Sequence, residues 1–130
     1  MAYVGQPIPS TVVNINAAKV SDGKSVRVTV PANTVIEAGK FYLLDGFLGV
    51  AFQSVTTGSG QTAEVILNIE QAEYETDQID TSQTFAKGTL IYWNGTFTET
   101  SAGNRLVGRV TRAKDTNNVI CFILGPQVHV

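Results

Sequence analysis

The sequence predicts an all-β domain, a small β-sandwich or barrel of short antiparallel strands with an extended N-terminal arm. Two observations support this fold class. Apolar residues recur at every second position in most runs of the chain, as they do in half-buried strands. Turn-forming dipeptides separate these runs at short intervals, which is typical of all-β sandwiches and barrels. The length of 130 residues suits a single domain with one core.

The arm is predicted from residues 1–10, which contain Pro7 and Pro9. Proline fixes φ and has no amide donor, so this segment favours an extended, polyproline-like conformation. Residues 11–130 are then expected to form a single β domain. Two interpretations of the arm stay open: a floppy terminus, or a segment that lies on a neighbouring molecule. In the second interpretation, the candidate contact residues are Tyr3, Val4, Pro7, Ile8 and Pro9.

Five runs of the sequence are predicted to be strands. They are residues 25–30, 62–69, 89–93, 106–111 and 119–124. The first alternates strictly between apolar and polar residues, as expected for a strand with one buried face. The last, VICFIL, is apolar throughout, and we interpret it as a central strand covered on both faces. This interpretation also makes Cys121 a buried, inert thiol.

Glycine-containing turns connect these runs. Asp22-Gly23, Asp45-Gly46 and Asn94-Gly95 are dipeptides that favour the type I′ turns of two-residue hairpins. Residues 58–60 and 115–118 are predicted to be looser hairpin loops. Helical patterns are scarce. Residues 70–83 (EQAEYETDQIDTSQ) are predicted to form an acidic loop or a short helical turn.

Charge is distributed unevenly, although the net charge is only −2. Six acidic residues lie between Glu64 and Asp80 with no basic residue among them, and four basic residues lie between Arg105 and Lys114. Such blocks are usually solvated surface. The alternative is a pair of complementary patches that meet between subunits. The candidate contact residues in these patches are Glu73, Glu75, Asp77, Arg105, Arg109 and Arg112.

Aromatic residues add one further candidate. Tyr92 and Trp93 are consecutive in a predicted strand, so their side chains are expected on opposite faces of the sheet. One of the two then lies outside the main core, where aromatic residues favour interfaces. We take Trp93 as the candidate interface residue.

Composition and motifs argue against several functions. One Cys and one His provide neither an internal disulfide nor a Cys/His zinc site. A nearly neutral chain has no general attraction for nucleic acid, and no apolar run is long enough to span a membrane. The N-terminus is also not expected to be a signal peptide. Cation binding by the carboxylates of residues 70–83 stays open.

One motif resembles a nucleotide-binding loop. Residues 18–25 (AKVSDGKS) fit a relaxed P-loop pattern, but a true P-loop opens a helix whose amides bind phosphate. Here an alternating strand and Pro31 follow the motif, so we interpret DGKS as a hairpin turn. We therefore predict that the protein is not an enzyme and binds no cofactor.

The order of several segments resembles a known family. Residues 35–51 (VIEAGKFYLLDGFLGVA), 86–94 (AKGTLIYWN) and 105–110 (RLVGRV) resemble successive segments of the phage capsid cement, or head decoration, family. The resemblance extends over residues 26–124. Some members of this family carry recombinase-like names.

The resemblance implies a small β domain that binds the exterior of an assembled capsid and catalyses no reaction. The implied partner is the major capsid protein, and the implied assembly is a homotrimer, formed in solution or only on the capsid. The implied location is the capsid exterior of the virion, after synthesis in the host cytoplasm. The alternative is another virion β module, such as a head fibre base or a host-surface-binding domain.

Overall fold

The structure is a computed structural model that describes residues 18–128, and within this range it contains strands and no helix. The strands are β1 (Ser25–Val30), β2 (Val35–Ile36), β3 (Phe41–Leu44), β4 (Phe47–Ala51), β5 (Val55–Thr56), β6 (Ala63–Asn68), β7 (Glu73–Thr76), β8 (Leu90–Trp93), β9 (Phe97–Thr98), β10 (Arg105–Arg112) and β11 (Ile120–Leu124). They form a four-stranded sheet in the order β1-β6-β4-β3, a five-stranded sheet in the order β7-β11-β10-β8-β9, and the pair β2-β5. All strand pairs are antiparallel, so the predicted all-β fold is confirmed.

The five strands expected from the sequence are present as β1, β6, β8, β10 and β11. The pairing of β1 with β6 shows how the alternating pattern determines register. Val28 pairs with Val65 and Val30 pairs with Ala63, and Val28, Val30 and Val65 are buried. A shift by one residue would move these valines to the solvent face.

Two hydrophobic clusters form the core, and the β3–β4 hairpin contributes to both. Phe41 and Leu48 belong to the cluster beneath the five-stranded sheet. Tyr42 and Phe47 pack against the cluster of the four-stranded sheet. Neighbouring side chains of a strand point to opposite faces. The hairpin is part of the four-stranded sheet, and the side chains of its other face pack beneath the five-stranded sheet, so it joins the two sheets.

The four-stranded sheet is curled, so that its two edge strands approach each other. The amide N–H of Thr29 in β1 donates a hydrogen bond of 2.8 Å to the Asp45 carboxylate, at the tip of the β3–β4 hairpin. Asp45 and Gly46 have φ angles of 52° and 86°. Positive φ at both central residues is what a type I′ turn requires, so this turn prediction is confirmed.

Two other turn predictions are wrong. The β8–β9 connection has three residues, Asn94–Thr96, because Trp93 pairs with Phe97, and of its first two residues Gly95 alone has positive φ. Residues 58–60 are not a hairpin loop, because β5 and β6, which they connect, belong to different sheets. The loop at residues 115–118 does connect a hairpin, β10–β11, as predicted. Asp22-Gly23 lies just before β1, and the segment on its other side, residues 11–16, lies outside the described residues.

The expectation for residues 70–83 is also corrected, because Glu73–Thr76 forms strand β7. β7 pairs with β11, where Tyr74 lies opposite Phe122 with ring centroids 5.9 Å apart. Pairing with a neighbouring strand outweighs the weak strand propensity of this acidic segment, because propensity in a sheet depends on cross-strand contacts.

The interpretation of VICFIL is correct for strand order and wrong for burial. β11 is a central strand between β7 and β10. Ile120, Phe122 and Leu124 are fully buried, but Ile123 is 48% exposed on the opposite face. The described chain therefore covers one face of this strand and leaves the other open.

Candidate interaction surface

The open side of the five-stranded sheet, which we call the outer face, carries most of the exposed candidate residues. Its side chains come from four neighbouring strands. They are Glu73 and Glu75 of β7, Cys121 and Ile123 of β11, Leu106, Arg109 and Arg112 of β10, and Leu90 and Tyr92 of β8. The cross-strand pairs Glu73–Ile123, Ile123–Arg109 and Arg109–Leu90 form one continuous row over this face.

Two irregularities in β10 decide which of its residues reach the outer face. The register shifts between Leu106 and Gly108, and again between Val110 and Arg112. Each β-bulge adds one residue and re-aims the side chains after it. Burial in β10 consequently repeats every three residues instead of two, with Val107 and Val110 buried and Leu106, Arg109 and Arg112 exposed. A strict alternation would have placed Leu106 and Arg109 on different faces.

The centre of the outer face is apolar. Ile123 is 48% exposed, Leu106 is 44% exposed and Leu90 is 37% exposed. With Gly108, Arg109, Gly125 and Pro126 they line a shallow, mainly apolar depression. A side chain at Gly108 would collide with the Ile123 carbonyl oxygen and press on the Phe122 ring, so the close approach of β10 and β11 requires glycine here.

The two signs of charge lie on different halves of the outer face. Glu73 and Glu75 are on the edge strand β7, and Arg109 and Arg112 are on β10. The Glu73 carboxylate accepts a hydrogen bond of 2.6 Å from the Thr111 hydroxyl. Within residues 18–128, Glu75 forms no ion pair. Its carboxylate is therefore available to a partner.

In both arginines of this face, some of the guanidinium N–H groups donate hydrogen bonds within the domain. Arg109 Nη1 donates to the Gly88 carbonyl at 2.8 Å. Arg112 Nε donates to Cys121 Sγ at 3.3 Å, and its Nη1 lies 3.2 Å from the Asp115 carboxylate. The contacts with Cys121 first and Asp115 second raise the pKa of Arg112. Each guanidinium has further N–H groups for a partner.

Arg105 is half-buried, and its guanidinium bonds to two other segments of the domain. Its Nη1 donates to the Gly46 carbonyl, and its Nη2 donates to the Gln127 side-chain oxygen at 3.2 Å. Burial lowers the pKa of Arg105. The side chain thus connects the β3–β4 hairpin to the segment after β11, and it belongs to the internal structure of the domain.

Asp77 and Trp93 also lie away from the outer face. Asp77 follows β7 and forms an ion pair of 3.1 Å with Lys40. Trp93 is half-buried on the core side, where its ring packs edge-on against Phe97 with centroids 4.9 Å apart. Tyr92 lies opposite Leu106 on the outer face, so the two aromatic residues do occupy opposite faces, as predicted.

The remaining sequence candidates, Tyr3, Val4, Pro7, Ile8 and Pro9, lie outside the described residues. Sequence reasoning missed Leu90, Leu106 and Ile123 as surface residues. An alternating pattern in β8 could have indicated Leu90, but the bulges that expose Leu106 leave no simple sequence pattern.

In the part of the chain that is described, the P-loop-like motif leads into a strand rather than into a helix. The Gly23 amide donates to Ser21 Oγ at 3.0 Å in an exposed turn, and β1 follows directly. Residues 18–128 contain no group of three or more His, Cys, Asp or Glu side chains that could hold a metal ion. No helix in the same range could cross a membrane.

Comparison with known proteins agrees with the family resemblance. A family model described as "Phage cement protein" matches residues 20–125. The match begins just before β1 and ends just after β11, so it covers every strand described above. No curated protein and no solved structure gives a significant match. The chain therefore belongs to the phage cement protein family, and its role is that of a structural protein associated with the phage capsid in the virion.

Proposed function

We propose that this protein binds the exterior of the assembled capsid through the major capsid protein and, as a homotrimer, stabilises the shell without catalysing a reaction. The observation that carries the proposal is the family match over residues 20–125. The described domain is compatible with this role, because one face of its five-stranded sheet exposes apolar and charged side chains that a partner could contact.

The physical basis of such a role is the bridging of neighbouring capsid subunits. Once one contact has formed, a second contact on the same molecule is intramolecular and gains from a high effective concentration. Each stable contact needs an interface of about 800 Å² per partner. A small rigid β domain with several surfaces can meet this requirement.

The test uses mature capsids that lack the protein. We expect the purified protein to co-sediment with expanded shells and to raise the temperature at which they rupture. Absence of binding to both expanded and unexpanded shells would overturn the proposal. Binding to glycans or host cells without binding to capsids would instead favour a head fibre base or a host-surface-binding module.

A further inference from the structure

We infer that the outer face of the five-stranded sheet is the contact surface between copies of this chain, because it combines an exposed apolar centre with acidic and arginine halves that complement each other. The inference rests on the proposed function only for the number of copies, three. The contact itself can be measured without capsids.

The outer face is unlike a solvated sheet surface. An antiparallel sheet with one face in water normally presents polar residues there. Here the outward residues of three adjacent strands include Leu90, Leu106 and Ile123, and they line one depression. An exposed apolar area that extends over neighbouring strands, with charged residues beside it, is typical of a protein interface.

The distribution of charge on the outer face identifies a second copy of the chain as the occupant. The face carries acids on β7 and arginines on β10, two strands away across β11. A surface with both signs on separate halves is complementary to a second copy of itself. An unrelated partner would not require this separation, whereas copies of one chain do, because every copy must supply both sides of the contact.

In a closed ring, one side of each copy contacts the other side of the next copy. Three sheets whose outer faces look towards a common axis bring the β7 side of each copy beside the β10 side of its neighbour. The apolar centre then packs near the axis through Ile123 and Leu106. Glu75 lies opposite Arg109 of the partner subunit.

The first experiment measures the mass of the full-length protein in solution without capsids, by light scattering and sedimentation velocity. We expect the wild type to have three times the 13.9 kDa chain mass. Ile123→Asp and Leu106→Asp should each reduce it to the mass of one chain, because they place a carboxylate in the apolar centre. Phe52→Asp is the matched control, since Phe52 is 58% exposed elsewhere on the domain, and it should leave the assembly intact.

A wild-type protein with the mass of one chain at every soluble concentration would overturn the inference. So would an assembly that Ile123→Asp and Leu106→Asp leave unchanged. Circular dichroism melting of each variant separates loss of assembly from loss of folding. If the aspartate variants do not fold, charge reversal at the exposed residues Glu75 and Arg109 still provides the test.

The second experiment reverses charges. Glu75→Lys and Arg109→Glu should each weaken association about tenfold or more, because each places like charges opposite each other. The double variant with both substitutions should associate nearly as well as the wild type, since it restores an opposite pair in every contact. Glu37→Lys, the same change at another exposed position, should have no effect. A double variant weaker than both single variants would contradict the proposed pairing of Glu75 with Arg109.

Capsid binding of the same variants distinguishes this inference from the proposed function. A wild type that is a single chain in solution but binds capsids would overturn the inference and leave the proposed function standing. If Ile123→Asp then abolished capsid binding, the outer face would be the surface that contacts the capsid protein. A wild type that assembles through this face but binds no capsid would uphold the inference and overturn the function.

Discussion

The side-chain amide of Gln127 pairs with the backbone of Leu48 through two hydrogen bonds. Leu48 N–H donates to Gln127 Oε1 at 2.9 Å, and Gln127 Nε2 donates to the Leu48 carbonyl at 2.9 Å. Leu48 is fully buried in β4, beyond the short stretch in which β4 pairs with β6. The glutamine therefore satisfies backbone groups that lie past the end of the neighbouring strand.

Gln78 does the same on the other strand of this hairpin. Its Oε1 accepts from Phe41 N–H at 2.7 Å, and its Nε2 donates to the Phe41 carbonyl at 3.0 Å. Gln78 and Gln127 follow the adjacent strands β7 and β11. The two glutamines thus link both strands of the β3–β4 hairpin to the five-stranded sheet by hydrogen bonds.

Gln127→Ala should lower the free energy of unfolding by about 1–3 kcal/mol, because it leaves two buried backbone groups without partners. Urea unfolding monitored by circular dichroism measures this change. Gln71→Ala removes the same side chain from an exposed position and should stay within about 0.5 kcal/mol of the wild type. Equal unfolding midpoints for the two variants would show that the pairing with Leu48 does not contribute to stability.

Gly108→Ala should destabilise the domain by about 1–3 kcal/mol, because the added methyl group has no room between β10 and β11 and forces the strands apart. Thermal melting provides the measurement. Gly125→Ala is the matched control, since its methyl group would come no closer than 3.4 Å to its nearest neighbour, the Val107 carbonyl oxygen. The prediction is wrong if the melting temperature of Gly108→Ala equals or exceeds that of Gly125→Ala.

The Asp115 carboxyl should make stability depend on pH. It accepts hydrogen bonds from the amides of Val119 and Asn117 at 3.0 and 2.9 Å, and it faces Arg112. These contacts, with the Val119 bond the largest cause, lower the pKa of Asp115 below its ordinary value of 3.8. A carboxyl with a lowered pKa in the folded state contributes stability above the unfolded value of about 4 and loses it as pH falls through the folded pKa.

Asp115→Asn should therefore be less stable than the wild type at neutral pH, with the difference shrinking as the pH falls below about 4. Chemical unfolding at a series of pH values measures the difference. Thr116→Ala changes an uncharged, exposed residue of the same loop, and its difference from the wild type should not vary with pH. A constant difference for Asp115→Asn would contradict the assignment.

Deletion of residues 1–10 should weaken capsid binding and leave the melting temperature of the domain unchanged. The prediction rests on Pro7 and Pro9, which favour an extended segment that loses little chain entropy when it binds. Co-sedimentation with capsids at increasing protein concentration measures the affinity. Unchanged affinity would show that residues 1–10 do not contribute to the capsid contact. A lowered melting temperature would show that they contribute to the stability of the domain instead.

The sequence by itself determined the fold class, five of the eleven described strands and the family. The alternation of valines in β1 and β6 and the Asp45-Gly46 turn are local features, and local backbone sterics and side-chain periodicity are enough to interpret them. The order of glycine-containing segments, including Gly49 and Gly108, carried the family resemblance that the family model supports.

The tertiary structure alone decided which residues form the outer face. β7 exists because an acidic segment finds a partner in β11, and Leu106 and Arg109 share a face because two bulges change the period of β10 from two to three. It also bonded the half-buried Arg105 to Gly46 and Gln127 and left Ile123 exposed. These outcomes depend on pairing between segments that are distant in the chain, and no periodicity within a single segment encodes such pairing.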